Sequence, residues 1–400
     1  MDLRYSDAEE AFRNELARWL RETVPRFVDD HGAAPPSHDL KGRRDYDCAW
    51  QATLYEAGYA GIDWPVEYGG RGATPTEQLI FHEEMAKADA PYVGMNFVGL
   101  LHAGPTLMAE ANDEQKARHI DKILRGDEVW CQGFSEPQAG SDLAALSTRA
   151  VRDGDDYVVN GSKIWTSFAE VADFGELLVR TDPDNKHGGI TWLIMDMQTP
   201  GIDIRPLVAL NGSVEFNEVF FDDVRIPVTN RVGAENDGWR IAMVTFSFER
   251  GTAFVSEMIS VSRATAELAE LAKRVTSGSA TAWDDAGLRR DIGRLAAELD
   301  ALWALVKMNV SEAARSDAPP GLGGSVMKLA FTQLNQRLAE LTMRVLGRAG
   351  ITQTEVAGLP SDDLVERSLR SLSLTIAAGT SQIQRNIIAE RILGMPKEKK

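Results

Sequence analysis

A carboxylate set among small side chains opens the chemistry of this chain. Gly238-Trp239-Arg240-Ile241-Ala242-Met243 leads into Phe248-Glu249-Arg250. On a helix, Ala242, Thr245, Glu249, Thr252 and Ala253 share one stripe, and all but the glutamate are small. Ile241, Val244 and Phe248 form an apolar stripe beside it. That pattern predicts a cavity wall rather than a solvated face. Partial desolvation there raises the proton affinity of Glu249 toward the range of a general base.

Three further segments stand out, two that pair aromatic rings with hydroxyls and one that sets hydroxyls at a helix start. The first is Trp130-Cys131-Gln132-Gly133-Phe134-Ser135-Glu136-Pro137-Gln138-Ala139-Gly140-Ser141-Asp142-Leu143. The second is Asn160-Gly161-Ser162-Lys163-Ile164-Trp165-Thr166-Ser167. The third, near the C-terminus, is Gly379-Thr380-Ser381-Gln382-Ile383-Gln384-Arg385-Asn386. In type, order and separation these resemble the acyl-CoA dehydrogenase family, whose members hold FAD between a small β-domain and a helical bundle. The resemblance spans nearly the whole chain and is loosest before residue 60.

The resemblance implies α,β-dehydrogenation of an acyl-CoA thioester to a 2-enoyl-CoA, with electrons passed to an electron-transferring flavoprotein. It places Phe134, Ser135, Trp165, Thr166 and Ser167 along the isoalloxazine. Ser135 then bonds the pyrimidine edge, Ser167 reaches the N5 side, and Trp165 packs on the ring. Ser141 lies near phosphate, of cofactor or of substrate. Thr380, Ser381 and Gln382 contact FAD, partly across a subunit boundary, from a helix start whose N–H groups suit an anion. For a lone Trp165 the simpler reading is a core residue of the β-domain.

Many members carry the catalytic base as Glu just before Gly-Thr-Ser; here Ala378 stands there. Its backbone N–H remains, and in the family that amide is one of two donors to the thioester oxygen. Other members place the base on an early bundle helix beside an Arg, and Glu249 matches that position. Arg250 orders the local structure or touches substrate. A second reading is a partner subunit that binds FAD or CoA and contributes no base; a flavin oxidase is a third. Two departures bear on assembly. Residues 268–290 contain Lys273, Arg274, Arg289 and Arg290 but no Arg-x-x-Phe-Gly, and Arg344-Val345-Leu346-Gly347-Arg348-Ala349-Gly350 replaces a Gly-Gly-x-Gly-like turn preceded by Gln. Both normally complete a neighbour's FAD site. Their loss implies a two-plus-two heterotetramer, or a homo-oligomer in which Arg344 or Arg348 substitutes. The small Ala377 and Ala378 leave room for a branched or polycyclic acyl group.

The elements expected to position these residues make an α+β, mostly α, chain: N-terminal helical domain 1–125, central antiparallel β-domain 126–232, and C-terminal four-helix bundle 233–400. Ser6 and Glu9 read as a capping box. Residues 31–45, with Pro35-Pro36, read as loop, and 76–87 and 105–124 as helix. Strand, turn and strand span 148–160, with further β runs at 177–180, 190–195 and 214–221, ended by Pro227 and Gly233. Helical patterns cover 254–275, 285–315 and 327–346, with breaks at 276–284 and 316–324 and a last helix from about Thr380 to Leu393.

With 400 residues, 44% hydrophobic and 26% charged, the chain has the makeup of a water-soluble globular protein. Its net charge of −17 disfavours nucleic acid, because phosphate needs a basic face. No apolar run reaches transmembrane length, the start lacks a secretion signal, and two cysteines, Cys48 and Cys131, make no disulfide framework. A reducing cytoplasm fits. His82, His102 and His119 read as isolated, Cys131 as a core residue, and no spacing predicts a metal. No G-x-G-x-x-G follows a strand, which disfavours a Rossmann cofactor site.

Overall fold

The protein is described from a computed structural model covering residues 4–248, 255–277, 279–313, 323–352, 354–358 and 361–397. The chain forms two compact units, one from residues 14–74 and 87–249, the other from 1–13, 75–86 and 250–400.

Helix α1 spans Asp7–His31. The backbone N–H of Ser6 donates to Glu9 Oε2 at 2.6 Å and that of Glu9 to Ser6 Oγ at 3.3 Å, which is the expected capping box. Helix α2, Leu40–Glu56, begins inside the stretch expected to be loop. Asp39 accepts the Gly42 N–H at 3.0 Å, so a cap starts the helix soon after Pro35-Pro36. After α3, Pro75–Lys87, the expected single helix 105–124 is two: α4, Gly104–Glu110, and α5, Asp113–Arg125. Asn112 caps α5 by exchanging hydrogen bonds with Gln115, which breaks the run.

Eight strands follow: β1 Trp130–Gly133, β2 Arg149–Asp153, β3 Asp156–Ser167, β4 Phe174–Arg180, β5 Ile190–Asp196, β6 Ile202–Leu207, β7 Phe216–Pro227 and β8 Arg231–Val232. They form one sheet in the order β6-β7-β3-β2-β4-β5-β8, with β1 on β4. All pairings are antiparallel except β1–β4 and β2–β4. Edge strand β6 escaped the sequence pattern because Pro206 sits within it, and an edge tolerates the missing donor. Val159, Leu177, Val179, Leu193, Val219 and Val224 fill the core of this domain.

The remaining helices are α6 Gly238–Phe248, α7 Val255–Ala272, α8 Ala286–Ala313, α9 Gly323–Leu346, α10 Ala349–Thr352, α11 Ser361–Leu374 and α12 Ser381–Ile387. Buried Leu288, Ile292, Leu295, Leu299, Leu302 and Val306 on α8 alternate steps of four and three residues, as do Leu334, Leu338, Leu341 and Val345 on α9. That spacing keeps one seam facing the neighbours, and α7, α8, α9 and α11 close a bundle over it. Helix α11 was not legible in advance, since of its apolar residues only Val365 is fully buried. Among the described residues no helix is long and apolar enough to cross a membrane.

Candidate active site

Simple alternation along β3 would send Tyr157, Val159, Lys163 and Trp165 to the same inner face. The first three are fully buried, but Trp165 is 58% exposed and Thr166 is buried instead. A bulge against β7 between Lys163 and Thr166 shifts the register by one residue. Trp165 takes a left-handed backbone, φ 61°, to make the turn. The indole therefore faces outward, its only ring neighbour among the described residues being Phe216, edge-on at 5.8 Å. Trp165 is not a core residue.

The 134–136 turn is tied to this strand. The Ile164 N–H donates to the Ser135 carbonyl at 2.9 Å, and Lys163 Nζ donates to the Phe134 carbonyl at 3.1 Å and to Glu136 Oε1 at 2.8 Å. Glu136 also accepts the N–H groups of Ser147 at 2.7 Å and Thr148 at 2.8 Å. Burial alone would raise the Glu136 carboxyl, but the Lys163 ammonium and these donors outweigh it and hold it at about 2. The hydroxyls of Ser135 and Ser167, half-buried, and of Ser141, exposed, make no hydrogen bond among the described residues. Thr166 Oγ1 is fully buried without a partner among the described residues, and Asn217 Nδ2 holds the Thr166 carbonyl at 3.1 Å. The Phe134 ring points inward, edge-on to Phe246 at 5.9 Å, so the main chain is what this residue offers.

Glu249, Arg250, Thr252 and Ala253 lie outside the described residues. Their stripe is visible up to Thr245: Ala242 and Thr245 are fully buried, and Thr245 Oγ1 meets Thr106 Oγ1 at 2.9 Å. The companion stripe departs from expectation. Ile241 is buried, Val244 half-buried, and Phe248 exposed, so burial fades toward the end of α6.

In the other unit the C-terminal motif forms a closed loop ahead of α12. The Ser381 N–H and hydroxyl both reach the Thr375 carbonyl, at 2.9 and 3.4 Å, so that side chain serves its own loop. Thr380 caps α12 by accepting the Ile383 N–H at 3.2 Å, and Gln382 is exposed. Ala378 and Gly379 are both left-handed, φ 50° and 83°. Their N–H groups make no hydrogen bond among the described residues.

Three domain families match along the chain: Acyl-CoA dehydrogenase, N-terminal domain, over residues 14–127; middle domain, over 131–224; and C-terminal domain, over 236–393. Acyl-CoA dehydrogenase IpdE1 of Mycobacterium tuberculosis is 38% identical over 398 residues, covering 98% of this chain and 99% of that protein. The chain belongs to the acyl-CoA dehydrogenase family. Among solved structures, the ChsE4-ChsE5 complex from Mycobacterium tuberculosis contains a chain with TM-score 0.82 and 34% identity, each fully covered. The Tcur3481-Tcur3483 steroid ACAD gives TM-score 0.82 and 30% identity over the full length of both chains.

This acyl-CoA dehydrogenase is an FAD-dependent oxidoreductase, and its β-domain fits that cofactor. An outward indole offers a flat apolar wall. The hydroxyls of Ser135 and Ser167, unpaired among the described residues, offer polar contacts to a ring edge, whereas the expected Thr166 side chain is turned into the domain and offers none.

Sequence reasoning missed several polar partners in the dehydrogenase. The Glu136–Lys163 pair is one; its signal was a lysine at an inward position of an alternating strand. Gln132 Nε2 donates to fully buried Glu176 Oε1 at 2.7 Å and meets His102 Nδ1 at 3.2 Å. Thus His102 is not isolated. Nor is His119, 2.8 Å from Glu128 Oε2, nor His82, 3.1 Å from Ser256 Oγ. Cys131 is fully buried with its sulfur 3.5 Å from Met197 Sδ, and burial pushes its thiol up. Among the described residues no three His, Cys, Asp or Glu side chains gather as metal ligands. Arg344 pairs with Asp291 at 2.8 Å inside its own unit.

Proposed function

We propose that this dehydrogenase oxidises a polycyclic or branched acyl-CoA across its α,β bond, with Glu249 as the base. The outward turn of Trp165 beside the free Ser135 and Ser167 hydroxyls carries the reading, because a folded core has no use for an exposed indole there. The Glu249 carboxylate takes the α-proton. The α C–H pair becomes the new double bond as the β-hydrogen leaves with its electrons. The Ala378 N–H donates to the thioester oxygen and stabilises charge developing there. When bound, FAD supplies the hydride acceptor. Ser135 would bond its pyrimidine edge, Ser167 would reach its N5 side, and Trp165 would pack on its face. Ser141 and the Thr380-Ser381-Gln382 segment serve the phosphate side, and Arg250 orders the helix around the base. Electrons then pass to an electron-transferring flavoprotein in the cytoplasm.

Support for a bulky substrate comes from the small Ala377 and Ala378 and from the likeness to a protein named as a steroid ACAD. Support for a two-plus-two heterotetramer comes from the missing Arg-x-x-Phe-Gly, from the engagement of Arg344 by Asp291, and from a relative solved as a two-chain complex. The absence of a carboxylate at Ala378 favours a second reading, a partner subunit without a base.

The test is anaerobic addition of a polycyclic acyl-CoA to the protein alone and to the protein co-purified with a second homologous chain. Bleaching of oxidised flavin that requires Glu249 supports the enzyme reading. Bleaching that survives Glu249→Gln and follows the other chain's base supports the partner reading.

A further inference from the structure

Helix α6 lies along α4 in a register that two side-chain contacts fix. Arg240 forks onto Glu110, Nη1 to Oε1 at 2.7 Å and Nη2 to Oε2 at 2.6 Å. Further along α6, Thr245 Oγ1 meets Thr106 Oγ1 at 2.9 Å. The numbers climb on one helix as they fall on the other, so the two run antiparallel. One turn back from Thr106 stands His102. It belongs to a π-helical turn, Gly99–Ala103, that runs without a break into α4. Helix α6 packs on this turn as well. On the α6 side the sequence stripe through Ala242 and Thr245 continues one turn later with Glu249, which itself lies outside the described residues. Carried on by one turn, the register that seats Thr245 on Thr106 matches position 249 with His102.

The imidazole is set up as a donor. Gln132 Nε2 donates to Glu176 Oε1 at 2.7 Å and stands 3.2 Å from His102 Nδ1. The fully buried Glu176 carboxylate only accepts, so it turns the NH2 end of the amide toward itself and toward the ring. An NH2 group accepts nothing. Nδ1 therefore accepts, and the proton of the neutral ring sits on Nε2. Glu176 Oε1, at 3.7 Å, is beyond hydrogen-bond reach of Nδ1. The turn that carries the ring is braced too, because Trp64 Nε1 donates to the Leu100 carbonyl at 3.0 Å. A π turn has poorer hydrogen bonding than an α turn and recurs where a side chain has a task. Phe97 lies edge-on to the imidazole at 5.7 Å and to Phe168 at 6.2 Å. The ring is thus one aromatic contact away from the turn that bears Ser167.

We propose that His102 is a positioning residue for the base: its Nε2–H holds one oxygen of the Glu249 carboxylate and leaves the other aimed at the substrate α-proton. This rests on the reading of Glu249 as the base. The last torsion of a glutamate is broad, so an unheld carboxylate spends most of its time off the line of attack. Gln132 and Glu176 act behind His102, by keeping the proton on Nε2.

The holoenzyme carrying His102→Leu, in whatever assembly it purifies, tests it. Melting temperature and FAD content should stay at wild-type levels. KM should stay within about twofold, while anaerobic bleaching by a polycyclic acyl-CoA slows about twentyfold, less than the roughly hundredfold of losing the base. His102→Gln, which returns an N–H donor, should recover most of the rate. In a Glu249→Gln background His102→Leu should slow bleaching by no more than about twofold, because the group it serves is gone. A crystal structure should show His102 Nε2 within about 3.2 Å of a Glu249 oxygen. Wild-type bleaching by His102→Leu, or a Glu249 carboxylate beyond hydrogen-bond reach, overturns the role of His102 and leaves the base in place. Equal slowing in both backgrounds does the same, since His102 then acts elsewhere. Wild-type bleaching by Glu249→Gln removes the base and the proposal together. A His102→Leu protein that melts far below the wild type or sheds FAD makes His102 a structural residue and ends the proposal.

Discussion

Lys163 and Glu136 lie 27 residues apart in the chain and 2.8 Å apart in space, both closed off from solvent. This pair joins the turn bearing Ser135 to the strand bearing Trp165 and Ser167. Its ammonium also caps the Phe134 carbonyl. The spacing of the free hydroxyls is thus set by one buried ion pair rather than by the sheet ladder alone.

Breaking the pair on one side should be severe. Lys163→Met leaves the Glu136 carboxylate buried without its counter-ion, at a cost of about 3–5 kcal/mol. Urea unfolding and flavin content should fall together. A variant that unfolds at the wild-type midpoint with full flavin would show that the pair does not hold the turn.

Acid should expose the same pair. Glu136 titrates at about 2 in the folded protein against 4.5 for an ordinary glutamate. A folded value below the unfolded one means stabilisation that is complete above the unfolded value and is lost as pH falls through the folded one. The window is therefore pH 4.5 down to 2, with roughly 3 kcal/mol at stake. Denaturation at pH 6 and pH 3 should show a larger acid loss for wild type than for Glu136→Gln; equal losses would count against it.

Trp165 separates stability from ligand binding. The indole is mostly exposed, so Trp165→Ala should change folding stability by less than about 1 kcal/mol. Loss of its flat face should weaken FAD retention about tenfold. Melting temperature and flavin content after dialysis report the two effects, and a large melting shift with full flavin would return Trp165 to the core.

Glu249→Gln keeps size and removes the base. Anaerobic bleaching should slow by about a hundredfold or more. Bleaching at the wild-type rate, in a preparation free of any second chain, removes Glu249 from the mechanism.

Thr106 and Thr245 share one fully buried hydroxyl contact at 2.9 Å. Thr245→Val takes away the hydroxyl that Thr106 meets and should cost about 1–2 kcal/mol; Thr106→Val should cost less, because Thr245 Oγ1 also donates to the Ile241 carbonyl at 3.2 Å, and the double change should cost less than the sum. Strict additivity in thermal unfolding would show that the two hydroxyls are not coupled.

Much of this is legible in the sequence. The three motifs named the family, and the long helical patterns at 254–275, 285–315 and 327–346 marked the bundle helices, because repeating local patterns survive folding unchanged. Ser6 with Glu9 declared its helix start for the same reason: the cap is complete within four residues. Polar helices such as α2 and α11 were harder, since a single buried row among charges leaves little period to read.

What only the tertiary structure decided were relations that no spacing encodes. Period two sends Trp165 inward; a bulge set by pairing with β7 turns it out and buries Thr166. Glu136 meets Lys163, and Gln132 meets Glu176 and His102, because strands and helices distant in sequence cross there. Nothing in the letters Ala378-Gly379 reports a left-handed backbone whose carbonyls meet Gln384 and Lys328. Residue type and spacing fix which groups are available. The direction each group faces depends on dihedral angles and partners that exist only once the chain has closed on itself.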